Sequence, residues 1–122
     1  LKVPMKGLEL VREVKNRFGL PFVTVYGSEL YEDTPIVKAA TCPGAGGSEL
    51  KEALKAGAQA FITGDISHHE GIDAAAQMMI IDAGHYGLEH IFMDFMEGFL
   101  KEKLPADIEV VKMAVKFPAV VV

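Results

Sequence analysis

Apolar residues recur along the first part of the chain with the spacing of an α-helix. In MKGLELVREVKNRFGL they are Leu8, Leu10, Val11, Val14 and Phe18. Gly19 follows as a stop signal. Helical patterns also occupy ELKEALKAG, SHHEGIDAAAQ and the longest segment, HYGLEHIFMDFMEGFLKEKL, which ends at Pro105. We expect Ser48 to cap the second helix and Asp65 or Ser67 to cap the third, because short polar side chains satisfy the free N–H groups there.

Short apolar or β-branched runs separate the predicted helices. They are PFVTVYG, TPIVKAATC, QAFITGD, MMIIDAG and, after the last helix, DIEVVKMAVKF. FIT and MMII are apolar without a break, which is typical of parallel strands that are buried on both faces. Strands that alternate with helices predict one α/β domain over residues 1–122. It should be layered around a mostly parallel central sheet of about five strands.

Composition narrows the class of protein. Half of the 122 residues are apolar and 24% are charged, as in ordinary globular proteins. The formal net charge is −5, whereas proteins that bind nucleic acid typically carry an excess of basic residues. We therefore expect no nucleic-acid partner. No apolar run approaches the roughly 20 residues that span a bilayer, so we expect no membrane partner. Cys42 is the single cysteine, which fits a reducing cytosol, and we interpret it as a buried thiol.

Three junctions between a predicted strand and the next helix carry the residues that are capable of chemistry. They are CPGAGGSE, GDISHHE and DAGHYGLE. The carboxyl ends of parallel strands share one edge of a sheet, and open α/β sheets bind ligands at that edge. We therefore expect residues from these three segments to lie close together.

His85 and Glu89 lie one turn apart at the start of the longest predicted helix. On a helical wheel both fall on the same side, at the border of the apolar stripe, which we expect to face the core. That stripe consists of Leu88, Ile91, Phe92, Phe95, Met96 and Phe99. An imidazole and a carboxylate placed in this way can bind one Zn, Fe, Mn or Ni ion together. The alternative is an ordinary polar contact between helical neighbours, which is worth only a few tenths of a kcal/mol.

The segment GDISHHE offers a second set of candidates. His68 shares the helical face of Ile72, so we interpret it as a core histidine, whereas His69 lies toward the flank. Asp65 either caps the helix or orients a ligand histidine or a metal-bound water.

The glycines of CPGAGGSE precede a predicted helix. Gly44, Gly46 and Gly47, followed by Ser48, leave backbone N–H groups that attract phosphate or carboxylate. They are thus a candidate binding site for a small anionic substrate. The alternative is a tight turn between strand and helix, because the loop has neither the lysine of a P-loop nor a GxGxxG pattern.

The chain resembles the second half of the Nif-three-like family, also called dinuclear metal centre proteins or GTP cyclohydrolase I type-two homologues. CPGAGGSELKEALKAGAQAFITGDISHHE is similar to the family's Cys-Gly-Gly-rich loop, helix, strand and Gly-Asp-x-x-x-His segment. IIDAGHYGLEH is similar to its Asp-Ala-Gly-His-x-x-x-Glu motif. The resemblance implies one half of an α/β fold with two similar halves. It also implies a homo-oligomer, in the form of a hexameric ring, and a cytoplasmic location.

The resemblance also implies roles for individual residues. His85 and Glu89 correspond to ligands of a two-metal centre, and Asp65 and His69 line the same cavity as catalytic candidates. This favours His69 over His68. The implied activity is metal-dependent hydrolysis of a nucleotide or a phosphoester. In the family, the first half supplies a His pair and an Asp, and no segment here resembles that half. The alternative is a non-catalytic domain for assembly or interaction, with the apolar tail FPAVVV on a partner subunit.

Overall fold

Four strands form a single sheet in the computed structural model of the chain, which describes residues 1–117 and 119–122. The strands are β1 (Thr24–Tyr26), β2 (Ala39–Ala45), β3 (Ala60–Gly64) and β4 (Met79–Asp82). Their spatial order is β1-β4-β3-β2. Neighbours among β2, β3 and β4 pair in parallel, whereas the edge strand β1 runs antiparallel to β4. The predicted α/β fold with a mostly parallel sheet is therefore confirmed.

Helices pack on both faces of this sheet. They are α1 (Gly7–Arg17), α2 (Leu50–Lys55), α3 (His68–Ala75), α4 (His85–Glu89) and α5 (Phe92–Lys103). Successive strand residues point to opposite faces. Phe61 and Ile80 therefore pack with residues of α2 and α3, and Met79 and Ile81 pack with residues of α1. Among the described residues, no helix is both long enough and apolar enough to cross a membrane.

The third helix, α3, begins at a capping box. The Ser67 hydroxyl accepts a hydrogen bond from the Glu70 N–H, and the Glu70 carboxylate accepts from the Ser67 hydroxyl and N–H. These bonds favour the ionised carboxylate and lower the pKa of Glu70 below its ordinary value. The predicted cap at Ser48 is wrong, because Ser48 lies in a 3₁₀ turn and its hydroxyl donates to Glu49.

The longest predicted helix is divided into α4 and α5. The Met93 N–H bonds to the carbonyl of His90, and the Asp94 N–H bonds to the carbonyl of Ile91, so the chain tightens into a turn there. Leu88 of α4 is buried, whereas no residue of α5 is. The prediction that the apolar stripe faces the core is wrong beyond Leu88, because no other helix or strand of the described residues packs extensively on α5. Within α5, the stripe residues Phe92, Phe95 and Phe99 are 59%, 65% and 44% exposed.

The predicted fifth strand is wrong. Residues 107–117 carry no strand and lie beside α5, where the Lys112 ammonium pairs with the carboxylates of Asp94 and Glu97. These pairs raise the pKa of Lys112, chiefly through its hydrogen bond to Asp94. An alternating sequence becomes a strand only when a neighbouring strand pairs with its backbone, and this segment runs along a helix instead.

The second strand, β2, extends further than predicted. The predicted loop PGAGG begins with strand residues, because β2 continues to Ala45 after a register shift beyond Thr41. The completely buried Thr63 of β3 holds this extension: its hydroxyl accepts from the Gly46 N–H at 3.0 Å and donates to the Gly44 carbonyl at 3.3 Å. Cys42 lies on this edge strand and packs against the core on one side, so it is half-buried rather than buried as predicted.

Candidate metal centre

Asp82, at the end of β4, ties together the two loops that carry the candidate site. Its Oδ1 accepts from the N–H groups of Asp65 at 3.0 Å and Gly84 at 2.9 Å. Its Oδ2 accepts from the Ile66 N–H at 3.1 Å. One carboxylate thus aligns the β3–α3 loop with the β4–α4 loop. Sequence reasoning gave this residue no role, although an Asp directly after a buried strand and before Ala-Gly-His was the available signal.

Asp65 follows β3 in the left-handed backbone conformation, with φ of 52°. That conformation costs an ordinary residue about 1 kcal/mol, and Asp tolerates it better than most. The hydrogen bond that its N–H donates to Asp82 offsets part of this cost. The preceding Gly64 has to be glycine, because a Cβ there would lie 2.4 Å from the backbone of Gly84 and of His85. The close approach of the two loops places Asp65 beside His85.

His85, the first residue of α4, has a carboxylate at each nitrogen of its ring. Its Nδ1 lies 3.3 Å from Oδ2 of Asp65, and its Nε2 lies 3.2 Å from Oε2 of Glu89. The His85 N–H also donates to Oδ1 of Asp65 at 3.3 Å. The side chains of His85, Asp65 and Glu89 are 51%, 57% and 49% exposed, so the group faces outward on one side.

Gly44, on the extension of β2, forms the wall behind His85 and Glu89. A Cβ at this position would lie 3.1 Å from Oε1 of Glu89 and 3.4 Å from Nε2 of His85. Its φ of +74° is also in the region that favours glycine. The three strand-to-helix junctions therefore lie at one edge of the sheet, and they bring Gly44, Asp65, His85 and Glu89 together.

The carboxylates of Asp65 and Glu89 lie at different nitrogens of the His85 ring, so they are suited to different tasks. The two ring nitrogens point in different directions, so one ion cannot contact His85, Asp65 and Glu89 at once. Nε2 and the Glu89 carboxylate converge and suit a divalent ion such as Zn²⁺. Asp65 is placed as the acceptor for Nδ1–H, the common partner of a metal-binding histidine. In the described part of the chain, no three His, Cys, Asp or Glu side chains are grouped to hold one ion.

The two remaining histidine candidates, His68 and His69, lie on α3. Both are exposed, and their rings are 6.2 Å apart. The carboxylates of Asp65 and Glu89 lie at the two ring nitrogens of His85, and His69 takes no part in these contacts. The prediction that His68 is a core histidine is wrong, because the face it shares with Ile72 is turned to solvent and Ile72 itself is 52% exposed.

Acidic side chains lie next to the glycine-rich loop around Gly46 and Gly47. The Gly46 N–H already donates to Thr63, and the Ser48 hydroxyl donates to Glu49. A Cβ on Gly47 would lie 2.6 Å from Oε1 of Glu70, so a carboxylate borders the loop. Anion binding at Gly44, Gly46, Gly47 and Ser48 stays a prediction, and these carboxylates weigh against it.

Comparison with known protein families shows to which family this chain belongs. A family model described as Duf34/NIF3 (NGG1p interacting factor 3) matches residues 1–118. The chain belongs to the DUF34/NIF3 family. The resemblance inferred from the sequence motifs is thereby confirmed.

Individual NIF3-family relatives are longer than this chain. The chain is 36% identical over 101 residues to the GTP cyclohydrolase 1 type 2 homolog of Streptococcus pneumoniae, covering 81% of this chain and 38% of that protein. It is 38% identical over 93 residues to the protein of the same name from Lactococcus lactis, covering 75% of this chain and 36% of that protein. The chain therefore spans less than two fifths of the length of these relatives.

Solved structures of NIF3 relatives share the fold. A Bacillus cereus protein related to NIF3 superposes with a TM-score of 0.89 over 100% of this chain and 34% of that chain. At 24% identity, this likeness concerns the fold alone. The protein ybgI, described as of unknown function, superposes with a TM-score of 0.79 at 29% identity, over 98% of this chain and 47% of its own.

Proposed function

We propose that this NIF3-family chain contributes part of a divalent-metal site to a hydrolase of nucleotides or phosphoesters. The observation that carries the proposal is the convergence of Nε2 of His85 and Oε2 of Glu89, 3.2 Å apart, on a half-exposed edge of the sheet. The name GTP cyclohydrolase 1 type 2 homolog, borne by the relatives, supports a nucleotide as the substrate.

Each residue of the site has a distinct task in this proposal. His85 binds the ion through Nε2, and Glu89 binds it through its carboxylate. Asp65 accepts the Nδ1–H of His85 and so keeps the ring in the tautomer and orientation that present Nε2 to the ion. A bound divalent ion supplies Lewis-acid chemistry, because it polarises a phosphoryl or ring-carbon centre and makes water a stronger nucleophile.

The two proposed ligands do not complete the site, since catalytic zinc sites typically have about three protein ligands. The chain covers only 38% of its Streptococcus relative, so a longer polypeptide or a second subunit is a natural source of the rest. Within the chain, His69 on α3 stays the candidate for a further ligand. The half-exposed side chains of His85 and Glu89 leave room for ligands from outside.

Hydrolysis assays test the proposed reaction. We expect the assembled oligomer of this chain, in which a second subunit supplies the remaining ligands, to hydrolyse GTP or bis-p-nitrophenyl phosphate when Zn²⁺ or Mn²⁺ is added, and a chelator to stop the turnover. Glu89→Gln should lower the rate by more than about tenfold, because even the residues behind metal ligands contribute that much. Glu102→Gln, an exposed glutamate on α5, is the matched control and should leave the rate unchanged. Failure of that oligomer to hydrolyse either substrate at saturating metal, or an unchanged rate in Glu89→Gln, would contradict the proposal.

Assembly is the second candidate function, and the exposed face of α5 favours it. The rings of Phe92, Phe95 and Phe99 follow one another along the helix, with centroids 6.3 and 6.2 Å apart. Contiguous exposed apolar surface of this kind marks interaction sites. Phe92 and Phe95 also line a cavity of about 640 Å³ that reaches Glu89. A subunit bound there would lie beside the proposed metal ligands.

Introducing negative charge on the exposed face of α5 tests the proposed assembly function. We expect the double substitution Phe92→Glu and Phe95→Glu to convert an oligomer into a monomer, as measured by light scattering at micromolar concentration. The physical reason is that charged side chains are costly to bury in an apolar interface. Val3→Glu, at another exposed apolar position, is the control and should leave the oligomer intact. A wild-type chain that is already monomeric would rule out this function.

A further inference from the structure

A cavity of about 280 Å³ lies next to His85, on a part of the surface separate from Glu89. Asp65 and His85 form its polar rim. The rest of its wall comes from residues 20–22, which connect α1 to β1, from residues 83–87 at the start of α4, and from the tail around Phe117. Three segments that are distant in sequence thus enclose a space that directly adjoins the candidate metal ligand.

The wall of this cavity is mainly apolar and aromatic. Phe22, Tyr86 and Phe117 line it. The rings of Tyr86 and Phe117 meet edge to face, with centroids 5.7 Å apart and planes at 69°. The His90 ring supports Phe117 from another side, at 5.5 Å and 76°. Because these rings stabilise one another, they offer a pre-arranged surface to a flat ligand.

The innermost part of the cavity is formed by the buried residues Leu20 and Ala83. Gly87 allows this arrangement, since a Cβ there would lie only 3.0 Å from Cδ2 of Leu20. At the rim, the Asp65 carboxylate accepts from His85 and still has lone pairs for another donor. A ligand that fits has an apolar flat face and an N–H group on its edge.

We propose that this cavity binds the planar nitrogen-heteroaromatic ring of the substrate, such as a purine base, with an N–H group donated to Asp65. The volume is just below the roughly 300 Å³ at which small-molecule pockets begin, so it accepts one ring system and not a whole nucleotide. The phosphoester part then lies outside the cavity, on the side of His85. The link to catalysis rests on the proposed function, whereas binding of the ring requires no metal.

Titration of adenosine into the isotope-labelled, chelator-treated chain tests the ring site. We expect saturable shifts in the amide signals of residues 83–87 with adenosine, and none with ribose phosphate, which lacks the ring. Phe22→Ala should weaken adenosine binding by about tenfold, because stacking on one aromatic side chain contributes on that scale. Ile72→Ala removes an exposed apolar side chain of α3, outside this cavity, and should leave adenosine binding unchanged.

Two further variants keep the test decisive if Phe22→Ala does not fold. Phe117→Ala removes a wall ring from a different segment of the chain and should also weaken adenosine binding. Asp65→Asn removes the acceptor charge, tolerates the left-handed backbone and should weaken adenosine binding as well. Equal shifts with adenosine and ribose phosphate, or equal weakening by Ile72→Ala, would overturn the proposal. Because no metal is present, failure of the hydrolase proposal leaves this result unaffected. Unchanged adenosine binding in both Phe22→Ala and Phe117→Ala would overturn the ring site alone.

Discussion

Replacing His85 or Glu89 with alanine should strongly weaken the binding of a divalent ion to this chain, and replacing both should abolish it. Each substitution leaves a single donor at the site where Nε2 and Oε2 now converge, and one exposed donor holds a metal ion only weakly. Calorimetric titration with ZnCl₂ measures the effect. We expect one site in the wild-type chain and an affinity lowered by at least about tenfold in either variant, with no saturation in the double variant.

Further variants in the same ZnCl₂ titration distinguish metal ligands from residues that do not bind the ion. His68→Ala removes an exposed imidazole outside the site and should leave the affinity unchanged. Asp65→Asn should weaken binding by about 10- to 100-fold, as is typical when the acceptor behind a metal-binding histidine is changed. His69→Ala tells whether that residue reaches the ion. Wild-type stoichiometry and affinity in both His85→Ala and Glu89→Ala would refute the site.

Asp82→Ala should destabilise the fold by about 3 kcal/mol, a loss on the scale of hydrogen bonds to a charged group. Three N–H groups, those of Asp65, Ile66 and Gly84, lose their acceptor at once. Urea denaturation measures the free energy of unfolding. Hydrogen exchange should also become faster at these three amides, because the two loops lose their common anchor.

The stability measurement has two internal controls. Asp73→Ala removes an exposed aspartate from α3 and should change the free energy of unfolding by less than about 0.5 kcal/mol. Asp82→Asn keeps one acceptor oxygen and should fall between Asp82→Ala and the wild type. If Asp82→Ala were as stable as Asp73→Ala, the carboxylate would not be what holds the loops together.

Much of the fold could be predicted from local patterns. The run MMII predicts a doubly buried strand, and Met79, Ile80 and Ile81 are completely buried in β4. Such a run has one stable location, between two helical layers, because either face exposed would leave apolar surface in water. The spacing of His85 and Glu89 likewise predicts their contact, since helical geometry alone brings residues four apart together.

Other features depend on packing that no local pattern reports. Phe92, Phe95 and Phe99 have the spacing of a core-facing helix, yet these side chains are exposed because no other helix or strand of the described residues packs extensively on α5. The alternation in residues 107–117 is that of a strand, but pairing requires a neighbour, and the segment lies along α5. The periodicity of apolar residues shows which side chains share a face of a helix or strand. It does not show whether that face packs against another element or is exposed to solvent.

The sequence by itself determined the order of the four strands and of the helices between them, and it determined the pairing of His85 with Glu89, because both follow from spacing along one element. Only the tertiary structure decided that Asp65 lies at the opposite nitrogen of His85, 20 residues away in sequence, and that Asp82 anchors both loops. Such contacts depend on the register of β3 against β4, where Thr63 pairs with Asp82. Register is set by the packing of the whole sheet, which no single segment encodes.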